Sequence, residues 1–552
     1  MQINNFRGIK VFDEIFDKNF ICLIGRGDTG KSTILDAISL VLSPDWNPTF
    51  YDSDFYNCDI SNHIEIEVSL VDLPNKILKE NKFGLYIRGL DRRNDAISDE
   101  IDDQHEKLLT IKLEVKNDLE PKWFVVNSRQ EPTPITAYER AKLNVYKISD
   151  YMDRHFSWSK GNPLFALLRL QEDEEKADEG NIVIDALRDA KRKIDSADFD
   201  RLKKTADIVE KKASDFGIDI SGIKTSIDFK DIQVKDGRVC LHDEKIPFKL
   251  KGKGSKRLIS IAIQSAISQQ GGITLIDEIE QGLEPDRIRH LVNMLKTESV
   301  NGQTFITTHS ADVVEELVPL DLGIVSIVEG EVSLKFVDKE LQNVVRSCSR
   351  AFFAKKIIVC EGKTEIGICM ALNNYRKNDN KEYMSYQGCV FVEGNGSTFI
   401  EYSKKFNSLG FSTLVFCDSD DPGINGKKEV LKSAGITVLD CDDNNAIEDQ
   451  LFQDLPFEGI SELINYKIEE LSIDAVVDSV RSAYGKELPA NWQRMDDKEI
   501  KKAIVATAKK NKWFKRIDYG EFLGTVIFKY FSEMQTEKIK IQLETLSNWI
   551  DE

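Results

Sequence analysis

Two groups of residues in this chain have the types and spacing for phosphate chemistry. The first starts at residues 25–32, GRGDTGKS, which fit the pattern GxxxxGK[ST]. Gly25, Gly27 and Gly30 let backbone N–H groups approach a phosphate with no Cβ in the way. Lys31 can reach the β- and γ-phosphates of ATP, and Ser32, with Thr33 beside it, can hold Mg²⁺. Residues 273–278 then read ITLIDE, an apolar run ending in an acidic pair. Asp277 suits the same Mg²⁺ through its water shell, and Glu278 suits polarising an attacking water. The second group is made of carboxylates. In KIIVCEGKTE, residues 356–365, Glu361 follows an apolar run and Glu365 falls about one turn into the next helix. In TLVFCDSDDPG, residues 413–423, Asp418 and Asp420 are two apart and share a face of an extended segment. Four carboxylates brought together would repel one another unless hard cations neutralise them. Two Mg²⁺ or Mn²⁺ ions there could flank a scissile phosphate. Glu448, in NAIEDQL, is a further candidate ligand and equally a helix-start residue.

These residues need strand ends and helix starts to hold them. FICLI at 20–24 reads as a buried strand, followed by the glycine turn and a helix over 31–42. Further strands are expected at 64–70, 84–87 and 108–115. Residues 156–215 are rich in Lys, Glu, Asp and Ala, with apolar positions at helical spacing, and read as an exposed helical insertion. Strand–helix alternation returns at 257–337, with strands at 273–277 and 303–308. It resumes from about 352, with strands at 356–360, 388–392 and 412–417, and implies a parallel sheet. Beyond 456 the pattern is helical. The expected division is an ATPase part at 1–155, the helical insertion and dimerisation element at 156–245, a second ATPase part at 246–345, a metal-binding core at 350–455, and a helical region completing it at 456–552.

The chain has 552 residues, too many for one domain, and 75 Lys+Arg against 94 Asp+Glu give 75 − 94 = −19. No apolar run approaches the roughly 20 residues that cross a bilayer, and the opening MQINNFRGIKVFDE is not a signal peptide. Nine scattered cysteines without a CxxC fit a reducing cytoplasm. The acidic total seems at odds with a nucleic-acid partner only until its distribution is read. Lys498 to Arg516 holds eight Lys/Arg against Glu499, and Lys249, Lys251, Lys253, Lys256 and Arg257 form a second basic stretch. Such stretches can carry phosphate contacts whatever the total charge.

Several segments resemble known families. EIEQGLEPD, after the acidic pair, resembles the corresponding loop of ABC-type ATPases, and TTHS places His309 where those proteins keep a γ-phosphate-sensing histidine. In LKGKGSKRLISIAIQSAI, residues 250–267, Gly252, Gly254 and Ser255 precede an apolar helix and resemble the ABC signature, which implies an ATP site completed by a second subunit. QINNFRGIK resembles the N-termini of RecF-like and SMC-like ATPases. The E-G-x-x-E and D-x-D strand ends, with Gly394 and Gly396 in the intervening stretch, resemble the TOPRIM domain. An ABC-type ATPase followed by TOPRIM resembles the OLD (overcoming lysogenization defect) family nucleases, including Gabija and retron-associated members. That resemblance implies an α/β chain: an ABC/RecF-like ATPase domain with a helical insertion, a Rossmann-like TOPRIM domain and a helical C-terminal region. It further implies ATP-regulated, Mg²⁺- or Mn²⁺-dependent cutting of DNA, a homodimer or higher homo-oligomer, a role in antiphage defence, and a helicase or retron component as partner. A transition-state lysine is implied near the C-terminus, Lys515 or its rival Lys512. Two alternatives stay open: a RecF/SMC-like DNA-binding ATPase with TOPRIM as scaffold, and a regulatory ATPase restraining a separate effector.

Overall fold

The computed structural model describes residues 1–73, 77, 82–94, 96–100, 105–148, 153–156, 162–164, 166–167, 189, 192–193, 196, 200–215, 241–268, 271–300, 302–534 and 537–552. Among them, no helix is long and apolar enough to cross a membrane. The chain forms two compact units, residues 1–20, 32–284 and 294–306, and residues 21–31, 285–293 and 307–552.

In the first unit, β1 (Gln2–Phe6) and β2 (Ile9–Asp13) form an antiparallel pair. Strand β3 (Phe20–Ile24) belongs to the second unit from Ile21 onward. Helix α1 (Lys31–Leu42) buries Ile34, Leu35, Ile38, Val41 and Leu42, the stripe that a 3.6-residue period puts on one face. Strand β4 (Ile64–Leu70) pairs with β1 and with β5 (Glu106–Val115), and β5 pairs with β6 (Pro121–Val126), all antiparallel. In β4, Ile64, Ile66 and Val68 turn inward and the residues between them do not, the alternation expected of a sheet with one covered face. The strand expected at 84–87 is displaced. Gly84–Tyr86 is a 3₁₀ turn, and extended pairing starts only at Arg88, opposite Leu108. Strand β7 (Val145–Ile148) runs parallel to β8 (Ile273–Ile276), and β8 runs parallel to β9 (Gln303–Thr307), with helix α2 (Lys253–Ser268) before β8. Of the insertion expected at 156–245, a helix at Asp200–Asp215 is described, and most of the rest lies outside the described residues.

In the second unit, β3 pairs in parallel with β10 (Leu322–Val328), which turns back into β11 (Glu331–Phe336). The two-residue turn, Glu329 and Gly330, has positive φ at both positions, the conformation that matches strand twist in a tight hairpin. A four-stranded parallel sheet follows, built from β12 (Lys356–Cys360), β13 (Cys389–Glu393), β14 (Ser412–Cys417) and β15 (Thr437–Asp440) in the order β13-β12-β14-β15. Ile357 to Cys360 are fully buried, as a strand covered on both faces requires. Its helices are α3 (Lys363–Asn378), α4 (Phe399–Ser408) and α5 (Pro422–Ser433). Then come α6 (Ile447–Asp454), α7 (Phe457–Leu471), α8 (Ile473–Tyr484), α9 (Lys498–Lys510), α10 (Ile517–Lys529) and α11 (Lys538–Asp551). The β10–β11 hairpin is tied forward within this unit: Lys335 donates to the Ser408 carbonyl at 2.8 Å and Lys405 pairs with Asp338 at 3.0 Å.

Candidate active site

The phosphate loop leaves the buried β3 and returns as α1. Gly25 has φ +141°, and a Cβ there would lie 2.6 Å from the Val325 carbonyl oxygen; Gly30 has φ +94°. Both positions therefore require glycine on backbone grounds. A Cβ on Gly27 would meet nothing within 4 Å, so the fold itself does not demand glycine there. Lys31 is 5% exposed and donates to the Gly25 carbonyl at 3.1 Å and to the Arg26 carbonyl, folded back over the loop. Within the first unit, Ser32 Oγ donates to Asp277 Oδ1 at 2.8 Å across 245 residues of sequence. The two residues expected to share a magnesium ion thus meet, with Thr33 half-buried beside them in the chain. Glu278 is exposed and sits at φ +48°, a left-handed conformation costly for a non-glycine residue. His309, just past β9 in the second unit, is exposed with its ring centroid 6.4 Å from that of Phe353.

Two positioning residues here escape sequence reading. Lys147 on β7 donates to Asp277 Oδ2 at 3.1 Å and to Asp36 Oδ1 at 2.6 Å, and Arg7 pairs with that same Asp36 and with Asp54. A lone lysine in VYKI gives no signal of this. Arg257, expected in a basic stretch open to phosphate, is instead fully buried. It donates to the Asp277 and Glu278 carbonyls and to Gln281 Oε1, fixing the backbone of the acidic pair. Its neighbours Lys251 and Lys256 pair with Asp243 and Asp153. Gly254 and Ser255 lie inside the first turn of α2 rather than before it. A Cβ on Gly254 would collide with the Gly282 carbonyl oxygen, so close packing accounts for this glycine on its own.

The carboxylates gather at the carboxyl ends of β12 and β14. Glu361 follows β12, and its Oε2 accepts from the Asp418 amide at 3.0 Å, which locks the two strand ends together. Glu365, third residue of α3 and 2% exposed, accepts from the Gly362 amide at 3.0 Å, a helix-start bond. Asp420 is exposed. The strand end is closed by Asp421, which caps α5 by accepting from the Gly423 amide, with Pro422 in the first turn. Lys428 on α5, 2% exposed, donates to the Asp418 carbonyl and to Ser419 Oγ; its long-range role is not visible in sequence. Burial, then repulsion from Glu361, Asp420 and Glu365, pushes Asp418 up to about 9. Burial likewise pushes Glu365 up to about 7, against the pull of Lys515.

Glu448 starts α6, is 1% exposed, and neither of its carboxylate oxygens has a hydrogen-bond partner. Lys515 Nζ stands 3.8 Å from it. Burial works to lower Lys515, but Glu448, Glu365, Asp418 and Glu361 outweigh that and hold it above its ordinary value. Lys515, rather than Lys512, therefore reaches the cluster. A buried carboxylate with no donor is costly, and such an oxygen-rich, electron-rich cluster fits a hard divalent cation. Among the described residues, one trio, His63, Glu65 and Glu114, has its ligand atoms all within 4.8 Å, and its carboxylates are already paired with Lys112 and Lys116. The five carboxylates of the larger cluster stand further apart than that.

Residues 1–314 match the AAA ATPase domain family, and residues 352–420 match the overcoming lysogenization defect protein-like TOPRIM domain. No match was found among curated protein sequences. The Smc head domain bound to the C-terminal domain of ScpA, from Pyrococcus furiosus, is 14% identical with a TM-score of 0.35, over 61% of this chain and 96% of that one. The SMC head domain from Thermotoga maritima is 15% identical with a TM-score of 0.27, over 61% and 97%. The C-terminal region of the Xanthomonas campestris pv. campestris OLD protein is 16% identical with a TM-score of 0.25, over 37% and 96%. Over more than half its length the chain belongs to the AAA ATPase domain family, and it carries an overcoming lysogenization defect protein-like TOPRIM domain at residues 352–420.

Proposed function

We propose that the protein is an ATP-regulated, divalent-metal-dependent DNA endonuclease. The observation that carries this reading is the buried, donor-less Glu448 carboxylate facing the same lysine as Glu365, Asp418 and Glu361. A scaffold has no use for such a cluster. Glu361, Glu365, Asp418, Asp420 and Glu448 would hold Mg²⁺ or Mn²⁺, which when bound supplies charge neutralisation at the phosphate to be cut. Lys515, kept protonated by its acidic neighbours, would offset the charge that develops on the phosphate oxygens. Lys428 and the Glu361–Asp418 bond would keep the strand ends in register as a substrate binds.

ATP would bind through the phosphate loop, Lys31, Ser32 and Asp277, with Glu278 and His309 acting toward the γ-phosphate. Gly254 and Ser255 of a second copy would complete that site, which makes the active form a homodimer or larger. Defence against bacteriophage, with a helicase or retron component as partner, is the setting that the OLD-like architecture supports. Asp418→Ala in the full chain should reduce plasmid nicking in Mg²⁺ or Mn²⁺ by about 100-fold or more. Binding of a fluorescent ATP analogue should stay unchanged. Retained nicking in that variant would sink the site assignment.

A further inference from the structure

A carboxylate cluster that cuts DNA must draw in a polyanion, and one groove beside it carries the opposite charge. Helix α9 starts on Asp497, whose side chain accepts from the Glu499 and Ile500 amides, and it lies along α6. Between them is a groove of about 700 Å³ lined by Lys498, Lys501, Lys502 and Lys509. These lysines fall three, four and eleven residues from the first, one face of a helix. Phe452, Val505 and Ala506 supply the apolar lining. The groove touches the cluster at Lys509, whose Nζ is 2.7 Å from Asp449, the residue after Glu448. Lys509 also feels the charges of Asp420 and Glu448.

We propose that this groove holds the sugar–phosphate backbone of the DNA strand running into the carboxylate cluster, with its lysines on successive phosphates. The inference rests on the nuclease reading and specifies where its substrate lies. From Lys498 to Lys509 the helix rises about 17 Å, enough to reach several consecutive phosphates of one strand. The acids now beside the lysines do not block it. Lys501 pairs with Asp496, and Lys502 with Glu499 at 3.4 Å. Exposed pairs of this kind are worth about 0–1 kcal/mol, so phosphates can displace them. The apolar lining suits deoxyribose faces. Phe452 is only 2% exposed, so it offers no platform for stacking a base, and the groove tracks backbone without reading sequence.

The test compares two charge-reversed full-length variants, Lys498→Glu/Lys502→Glu in the groove and Lys486→Glu/Lys510→Glu outside it. Binding to a short fluorescent duplex is followed by anisotropy across a salt series, with Ca²⁺ replacing Mg²⁺. The groove variant should lose about tenfold or more in affinity and flatten the log–log salt slope by about 2, while the control loses far less. Lys498→Gln/Lys502→Gln should fall between wild type and the groove variant. The thermal shift on adding Mg²⁺ should be the same in all, which shows that the fold and the cluster are intact. Equal losses in groove and control variants overturn the groove while wild-type cutting leaves the nuclease reading standing. A wild type that binds no DNA overturns both, and capture of a protein on the groove in place of DNA overturns the groove.

Discussion

Burial and crowding hold the Asp418 and Glu365 carboxyls above their ordinary range, and that gives the metal-free cluster a stability that depends on pH. Both carboxyls are raised by burial first and by neighbouring carboxylates, to about 9 and about 7. A carboxyl whose folded value lies above its unfolded one favours folding below the unfolded value and withdraws that support as pH rises through the folded one. Metal-free protein should therefore lose thermal stability as pH climbs from about 4 to about 9. Mg²⁺ should restore the melting temperature most at the alkaline end, where the carboxylates it would neutralise are charged. Asp418→Asn should raise the metal-free melting temperature at pH 8 and remove most of the Mg²⁺ response. A metal-free melting temperature that rises steadily with pH would contradict the clustered geometry. At this scale the sequence was legible where chemistry is local. GRGDTGKS and the E-x-x-x-E and D-x-D strand ends are contiguous strings whose spacing is their signal. Lys147, Arg257 and Lys428 act through partners brought close only by folding, or through carbonyls that any residue carries, so nothing in their neighbours announces them.

Between elements, the pairing of α3 with α10 is what sets Lys515 against Glu365. Three glycines let the two helices meet backbone to backbone. A Cβ on Gly520 would lie 2.6 Å from the Thr364 carbonyl oxygen, one on Gly524 2.5 Å from Ala371 Cβ, and one on Gly367 would strike the Gly520–Glu521 peptide. Thr364 Oγ1 also donates to the Phe514 carbonyl at 2.9 Å, so the residues just before Glu365 and just before Lys515 are bonded. Adding one methyl at Gly520 forces this interface apart, at a cost of about 1–3 kcal/mol. Gly520→Ala should thus lower both melting temperature and nicking rate, the latter by about tenfold or more, because about 1 Å of misplacement is felt strongly in catalysis. Ala371→Gly, which opens room on the same interface beside Gly524, should recover part of the stability of a Gly524→Ala variant in a double-mutant cycle. Such packing glycines are indistinguishable in sequence from ordinary helix glycines. The regular elements were easier to read: β12, α1 and β14 fall where their apolar runs and helical stripes put them. The β10–β11 hairpin escaped notice although its Glu329–Gly330 turn is a recognisable signal, and the strand near residue 86 is shifted because a glycine turn precedes it.

At the scale of the whole molecule, ATP has to act through the association of chains if the signature segment is to have a use. Ser255 is exposed on the first turn of α2, while Arg257, two residues further along, is buried and holds the Asp277–Glu278 backbone. One short segment therefore faces two ways: its buried arginine shapes its own chain's acidic pair, and in the proposed dimer its exposed serine would meet a nucleotide on another copy. Two chains of formal charge −19 repel at long range, a barrier that salt screens and that bound Mg²⁺–ATP contacts must overcome. Glu278→Gln, which keeps the nucleotide but removes the carboxylate suited to polarising water, should accumulate the ATP-bound dimer in sedimentation velocity, more strongly as salt rises toward physiological levels. Lys31→Ala should not dimerise with ATP, because it loses the phosphate contact. Ser255→Arg separates the two roles: it should bind ATP like the parent chain yet fail to dimerise even in the Glu278→Gln background. If the double variant dimerises as well as Glu278→Gln alone, α2 does not meet a neighbour's nucleotide, and ATP must reach the nuclease half within a single chain.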